Sequence, residues 1–412
     1  MRLFGVLSAA YGISTLGNFL NLIAVNLYVL ELTGSALHVG SLMAARLGAA
    51  FLAGPLAGWL ATRFSRRVLM VCCDVAQASV MVLLVLAPVT AHLQIVWASA
   101  VVLGAGNTVF VVALRTSVPD LGGSAARQRG NGYLVTAKAF GTVLGFAAAG
   151  PLIGTSGHQA AFAVNAGSFV VSATVLAWLP LSFDSRGKAA NSPSRGAGTR
   201  WGLPALLMTA PAMTAVVGLR GIEGWGSASH NVVLPVFAES AEPANPAALL
   251  SQFWTAWAVG SLSMYWVVTW WRRGRRELDN RVYAGALGLA SAAFVAAFLD
   301  VPRPVMVLFA VLAGFADGLA ELAYVTSLQT APDSQRAAVF GASAAVETLG
   351  LSSGMLCSAV LLDRSAPLPV VALFHGVVIL AAVAYPVLVR PRQCQPQLSP
   401  SVTARPQERN GE

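Results

Sequence analysis

Eight ionisable side chains stand inside stretches of chain that are otherwise almost free of charge: Arg46, Asp74, Lys138, Arg220, Glu223, Asp317, Glu321 and Glu347. A charge in apolar surroundings is costly unless it meets a partner or water, so each marks a place where chemistry is expected. The chemistry these types allow is proton exchange and ion pairing. Asp317 and Glu321, four residues apart, stack on one face of a helix, where two like charges are not both ionised cheaply, so one of them is expected to hold a proton. The other reading is structural, with the pair facing the inner loops or an arginine. Arg220 and Glu223, three apart, also share a face; either they neutralise each other or Glu223 joins the proton-carrying acids. No P-loop, catalytic triad or metal-ligand spacing accompanies these groups, so an ATP-driven pump, an enzyme, a cofactor and a metal site are all not expected.

The elements that position these groups follow from composition. Of 412 residues 56% are hydrophobic and 10% charged, with a mean hydropathy of +0.68. An ordinary soluble domain carries about 25% charge, so a bilayer is the expected solvent and lipid the first partner. Twelve apolar windows reach the roughly 20 residues that cross a bilayer: 7–30, 36–61, 68–90, 94–117, 132–154, 160–180, 209–237, 247–271, 281–299, 304–327, 337–362 and 367–389. All but five of the 26 Lys and Arg then fall on one side. Lys and Arg resist translocation, so both termini are expected in the cytoplasm and the net charge of +9 reads as membrane orientation, not as a nucleic-acid footprint. Cys72, Cys73, Cys357 and Cys394 have the spacing of neither a disulfide framework nor a zinc site.

The segment 181–203, rich in Gly, Ser and charge, divides the windows six and six and reads as a cytoplasmic linker between a bundle at 1–180 and another at 204–390, with a disordered cytoplasmic tail at 391–412. An internal repeat supports the division. At an offset of 209, Arg63, Arg66 and Arg67 map onto Arg272, Arg275 and Arg276, and Gly132, Gly141 and Gly145 map onto Gly341, Gly350 and Gly354. Parallel halves of this kind are the plan of carriers that rock around a central site.

LELTGSALHVG at 30–40, GWLATRFSRR at 58–67, LRTSVPD at 114–120 and the run from RQRGNG through GPLIG resemble the major facilitator superfamily, and within it the bacterial efflux branch of enterobactin and macrolide exporters. The resemblance implies an all-α membrane protein of twelve transmembrane helices in two pseudo-symmetric six-helix bundles. It implies a cavity lined by helices 1, 4, 7 and 10, so that Tyr11, Thr15, Asn18, Arg220 and Trp225 become candidates for the substrate cavity. Carboxylates on helices 7 and 10 would then make one wall acidic, suited to protons or cationic substrates, with Glu223, Asp317, Glu321 and Glu347 as proton-coupling candidates. The family's loop after helix 2 usually reads G-x-L-A-D-R-x-G-R-R. Gly58, Arg63, Arg66 and Arg67 match it, whereas Thr62 replaces the acid and Ser65 a glycine; Thr62 either weakens the gate this loop forms or is only a solvated helix end. Gly150 and Pro151 approximate the glycine–proline motif of efflux antiporters, with Phe146 where a glycine is expected.

Arg46 and Glu347 each lie ten residues inside their windows, so an ion pair across the halves is expected near the midplane. Asp74 is expected to pair with Arg115 or the loop arginines as a clamp, the alternative being a proton-carrying role. Together these readings point to export of a small organic molecule against protons by a monomer in the cell membrane, with nutrient uptake or a transport-inactive sensor as alternatives.

Overall fold

The computed structural model describes residues 2–117, 124–179, 211–271, 280–331 and 333–388. The expected linker and tail, the loop arginines Arg272, Arg273, Arg275 and Arg276, and the side chain of Thr62 lie outside the described residues. Regular structure among the described residues is helical: α1 (Arg2–Thr33), α2 (Ala36–Arg63), α3 (Arg66–Leu86) and α4 (Val89–Ser117) precede one long segment, Ser124–Trp178. That segment is broken at Gly157, whose φ of 75° and ψ of 179° suit a residue without Cβ. It is therefore two helices, α5 (124–156) and α6 (158–178). Then come α7 (Pro211–Ala241), α8 (Pro246–Trp271), α9 (Asn280–Ala297), α10 (Arg303–Gln329), α11 (Asp333–Leu362) and α12 (Pro367–Leu388). The windows 132–154 and 160–180 led us to expect a loop of several residues, and a single glycine makes the turn instead.

Both arms of this hairpin pack on α1. Phe146 of α5 lies edge-on to Phe19, while His158 of α6 meets Glu31 at 3.1 Å and Asn165 and Ser168 surround Gly17, so α6 runs back along α1. Among the described residues, eight helical segments are long and apolar enough to cross a membrane; one of them, Gly132–Trp178, contains the Gly157 turn. α7, α8 and α9 were expected as spans and fall outside this set. α7 carries Arg220 and Glu223, α8 is rich in Trp and Ser, and α9 has only 18 residues.

Contacts repeat between the two parts of the chain. α1 packs on α5 where Gly141 and Gly145 approach Thr15 and Leu16, and α7 packs on α11 where Gly350 and Gly354 approach Gly221 and Trp225. In the same way Gly104 of α4 admits the backbone of Arg46 in α2, and Gly314 of α10 admits the backbone of Trp257 in α8. Small residues at such crossings let helix backbones come together without a hydrophobic driving force. The main contacts between the parts are α2 with α11 and α5 with α8.

The apolar core forks. One cluster contains residues of both parts, among them Phe162, Phe253, Phe294 and Phe374. Towards the chain termini it gives way to two separate clusters, one around Leu7, Leu69 and Phe110 and one around Val216, Tyr283 and Tyr324. The end remote from the termini is therefore closed and the other end open. At the closed end Ser251 donates to the carbonyl oxygens of Phe146 (2.6 Å) and Ala147 (3.2 Å), and Phe146 stacks on Trp254 at 5.6 Å. Gly150 fits closely against α8: a Cβ there would lie 2.8 Å from Ser251 Cβ and 3.0 Å from the Ala248 backbone. At the open end a Cβ on Gly58 or Gly341 would meet nothing within 4 Å.

Spin labels at Gly154 and Asn245 are expected to give a short, narrow distance distribution, and labels at Gly58 and Gly341 a long one. Gly150→Leu overpacks the closed end by about 1–3 kcal/mol, a shift of roughly 5–150-fold in a two-state equilibrium. The first distance should lengthen as the second shortens.

Candidate functional site

α7 turns one polar face towards α10 and α11, with Arg220, Glu223, Ser227 and Asn231 recurring at spacings of three and four. Gly221 and Gly224 lie directly under α11, where a Cβ on Gly224 would sit 3.0 Å from the Glu347 carbonyl oxygen. This close crossing places Glu347 beside Arg220. Arg220 Nη2 donates to Glu347 Oε1 at 2.8 Å and lies 2.9 Å from Glu321 Oε2 of α10, while Nη1 lies 3.3 Å from Glu223 Oε2. The Tyr324 ring covers the guanidinium at 5.1 Å, and its hydroxyl meets Ser343 of α11. Ser227 donates to Glu223 Oε1 at 3.0 Å. Asp317 precedes Glu321 by one turn, with no ion-pair partner among the described residues. One guanidinium thus ties three helices together through three carboxylates.

Exposure divides the acids. Glu321 and Glu347 are 43% and 31% exposed, whereas Arg220 and Glu223 are 12% and 11%. Two expectations meet here: Arg220 and Glu223 do pair, and Glu321 does face an arginine. The expected Arg46–Glu347 pair does not form, because Glu347 is held by Arg220. Depth along a helix brought both groups near one level but does not fix the direction in which each points.

A separate cavity of about 600 Å³ lies between the two parts of the chain. Tyr11, Thr15 and Asn18 of α1 line it, with Arg46, Asn107, Arg115, Lys138 and Asn231. Thr15 and Asn18 also donate to carbonyl oxygens of Tyr11 and Ser14 in their own helix, at 2.7 and 3.2 Å, while the Asn18 amide oxygen has no hydrogen-bond partner among the described residues. The lining holds three cations and no carboxylate. The expected acidic wall is thus corrected: Arg220 gathers the acids of α7, α10 and α11, and the charges on the lining come from α2, α4 and α5. Trp225 stacks on Phe374 of α12 at 3.9 Å and does not line the cavity. Trp254 and Trp257 meet edge-on at 5.6 Å, Trp254 against Phe146 at the closed end.

Asp74 does not clamp Arg115. It lies on the buried face of α3 with Met70, Gln77 and Met81, near Ser172 of α6, and among the described residues no hydrogen bond of regular geometry reaches its carboxyl oxygens. Arg115 faces the cavity instead. Where α2 gives way to α3, Arg66 donates to the Thr116 carbonyl at 2.5 Å, Arg63 lies 5.0 Å over the Trp59 ring, and Arg67 is half-buried. Ser65, standing where the family has glycine, caps α3 by accepting from the Val68 N–H at 3.3 Å. Pro151 is exposed next to Gly150. The sequence reading missed Ser227, Tyr324 and Asn107 as site residues. Ser227 and Tyr324 follow Glu223 and Glu321 by four and three positions, a same-face signal that was available.

A family model described as Major Facilitator Superfamily matches residues 7–329. An uncharacterised transporter of that type from Bacillus subtilis, YfiS, is 29% identical over 195 residues, which cover 45% of this chain and 44% of YfiS, so the chain matches less than half the length of that relative. Among solved structures, the nucleoside transporter NupG (D323A mutant) aligns with a TM-score of 0.73 at 13% identity over 94% of this chain and 100% of its own. The peptide transporter PepTSo gives 0.70 at 13% over 96% and 99%. A bacterial homologue of Spinster in an inward-facing, unoccupied conformation gives 0.67 at 13% over 93% and 98%. At such identities the likeness concerns the fold, and it agrees with the forked core and the repeated α1–α5 and α7–α11 crossings. With the family model spanning more than three quarters of its length, this chain belongs to the major facilitator superfamily.

Proposed function

We propose that this protein is a secondary active transporter that exports a small organic molecule, a drug, antibiotic or siderophore-like metabolite, in exchange for protons. Twelve spans in two six-helix bundles, divided by the linker at 181–203, cross the cell membrane with both termini in the cytoplasm, and the monomer is the working unit. In that orientation the open end faces the cytoplasm. The α2–α3 loop with Thr62 and its arginines closes that end in the alternate state, and the Gly150–Pro151 segment opens and closes the other. Gly150 against α8 supports export, because it stands at the closure and belongs to the segment that resembles efflux antiporters.

The observation that carries the proposal is the Arg220 cluster. Three carboxylates contact a single guanidinium, and Asp317 stands one helical turn before Glu321. Full ionisation would leave a large excess of negative charge in a region poor in water, so the cluster binds protons in some states and releases them in others. Protonation of Glu321 or Glu347 loosens the tie of Arg220 to α10 or α11, and α11 packs on α2 of the other bundle. Proton occupancy is thereby linked to the contact between bundles, as alternating access requires.

In a pump-deleted host, a broad efflux screen is expected to show reduced accumulation of at least one compound. In proteoliposomes with an outward-to-inward proton gradient, Glu321→Gln or Asp317→Asn should reduce gradient-driven transport at least about tenfold while substrate exchange at equal pH persists. Gradient-driven uptake into cells would reverse the direction proposed. Transport indifferent to all four acids would remove the proton from the mechanism.

Arg220→Ala leaves its acids without their cation and is expected to destabilise the protein by roughly 3–5 kcal/mol. The loss is read as a lowered melting temperature in detergent, and adding Glu347→Gln to Arg220→Ala should restore part of it.

A further inference from the structure

Charge in the cavity has no obvious counterpart. Arg46, Arg115 and Lys138 line it, no lining residue is acidic, and Arg46 has no ion-pair partner among the described residues. Arg115 and Lys138 lie close enough to repel each other. The acid within electrostatic reach of Lys138 is Glu321, whose carboxylate is already held by Arg220 at 2.9 Å. Three cations lining one cleft with largely apolar walls set up a positive potential that attracts and retains an anion.

The cations differ in depth. Gly104 of α4 lies against the Arg46 backbone, and Arg115 follows eleven residues later, roughly 16 Å nearer the open end at 1.5 Å per residue. Arg46 therefore stands deep in the cavity and Arg115 near its mouth. Beside Arg46 a small pocket continues the space, lined by Asn21 and Asn26. Asn21 is fully buried, and neither its amide nitrogen nor its amide oxygen has a hydrogen-bond partner. A buried amide left unsatisfied beside an unpaired guanidinium fits a polar ligand that brings its own acceptors. The rest of the lining is mostly apolar, including Phe19, Leu47, Val112 and Met355.

We infer that the transported molecule is an amphiphilic organic anion, its acid group held at Arg46 and its apolar body lying along α1, α4 and α11. Arg115 and Lys138 draw it in from the open end. This deepens the transport reading above and rests on it. It also fixes the electrical sense of exchange: an anion leaving as a proton enters moves two positive charge equivalents inward per cycle, so an inside-negative potential accelerates the cycle. A cation exchanged for one proton would move none.

The test uses purified full-length protein and four probes of one shape: 2-naphthoate, 2-naphthyl phosphate, 2-naphthamide and 2-naphthylmethylammonium. Binding is read by quenching of tryptophan fluorescence and by thermal stabilisation. One or both acids should bind at millimolar concentration or below, and which of them binds distinguishes a carboxylate cargo from a phosphate. The amide and the ammonium should bind at least about tenfold more weakly, since charged hydrogen bonds contribute most of the selectivity. Arg46→Gln should weaken acid binding by about ten- to a hundredfold, and Arg46→Lys by less. Should Arg46→Gln not fold, Arg115→Gln with Lys138→Gln serves instead, slowing acid association most at low salt. Equal binding of amide or ammonium, no binding of either acid, or unchanged acid affinity in a folded Arg46→Gln protein would overturn the inference. In proteoliposomes the two readings separate: proton exchange for a neutral or cationic compound overturns the anion and keeps the antiporter, whereas anion transport blind to pH does the reverse.

Discussion

A charge buried in hydrocarbon survives only with a partner or with water, and the arrangement of Arg220 follows from that constraint. Glu223, Glu321 and Glu347 could not all stand at membrane depth without a cation among them. Satisfying the guanidinium in turn requires α7, α10 and α11 to meet at one level. That demand explains why α7 carries Gly221 and Gly224 under α11, since a larger residue at either position would push Glu347 out of reach. The polar cluster and the glycine crossings are two aspects of one solution.

The same economy shapes the rest of the molecule. The repeated crossings of α1 with α5 and of α7 with α11 use glycines at corresponding places, and the same holds for α2 with α4 and α8 with α10. Each part of the chain is thus a rigid unit held by backbone proximity. The surface between the units is held more sparingly, by Ser251 with the carbonyls of Phe146 and Ala147, by aromatic stacking and by a shared core at one end only. Rigid units joined by a light, one-ended seal are suited to rocking as whole bodies.

Much of this was legible in the sequence, and the failures have a common cause. Apolar runs marked most of the helices, the offset of 209 marked the repeated glycine crossings, and the spacing of Arg220 and Glu223 marked their pairing. Gly157 was not legible as a one-residue turn, because an apolar window ends in the same way before a loop and before a single glycine. The partners expected for Glu347 and Asp74 were inferred from depth, and depth leaves the azimuth of a side chain open. For Glu347 the direction is set by how closely α11 approaches α7, and for Asp74 by the buried face of α3. The acidic wall was expected from the helices alone: the acids stand on those helices, but Arg220 gathers them, and the described lining of the cavity carries cations. Ser227 and Tyr324 repeat the spacing of the charges they accompany, so a polar stripe read along α7 and α10 would have included them.

The acids that Arg220 gathers and the cations that line the cavity belong to different parts of the chain, the first to α7, α10 and α11 and the second to α2, α4 and α5. In the proposed function, energy input and cargo recognition are consequently modular. On that proposal the repertoire of passengers can drift over evolutionary time through replacements in one lobe while the engine in the other stays intact.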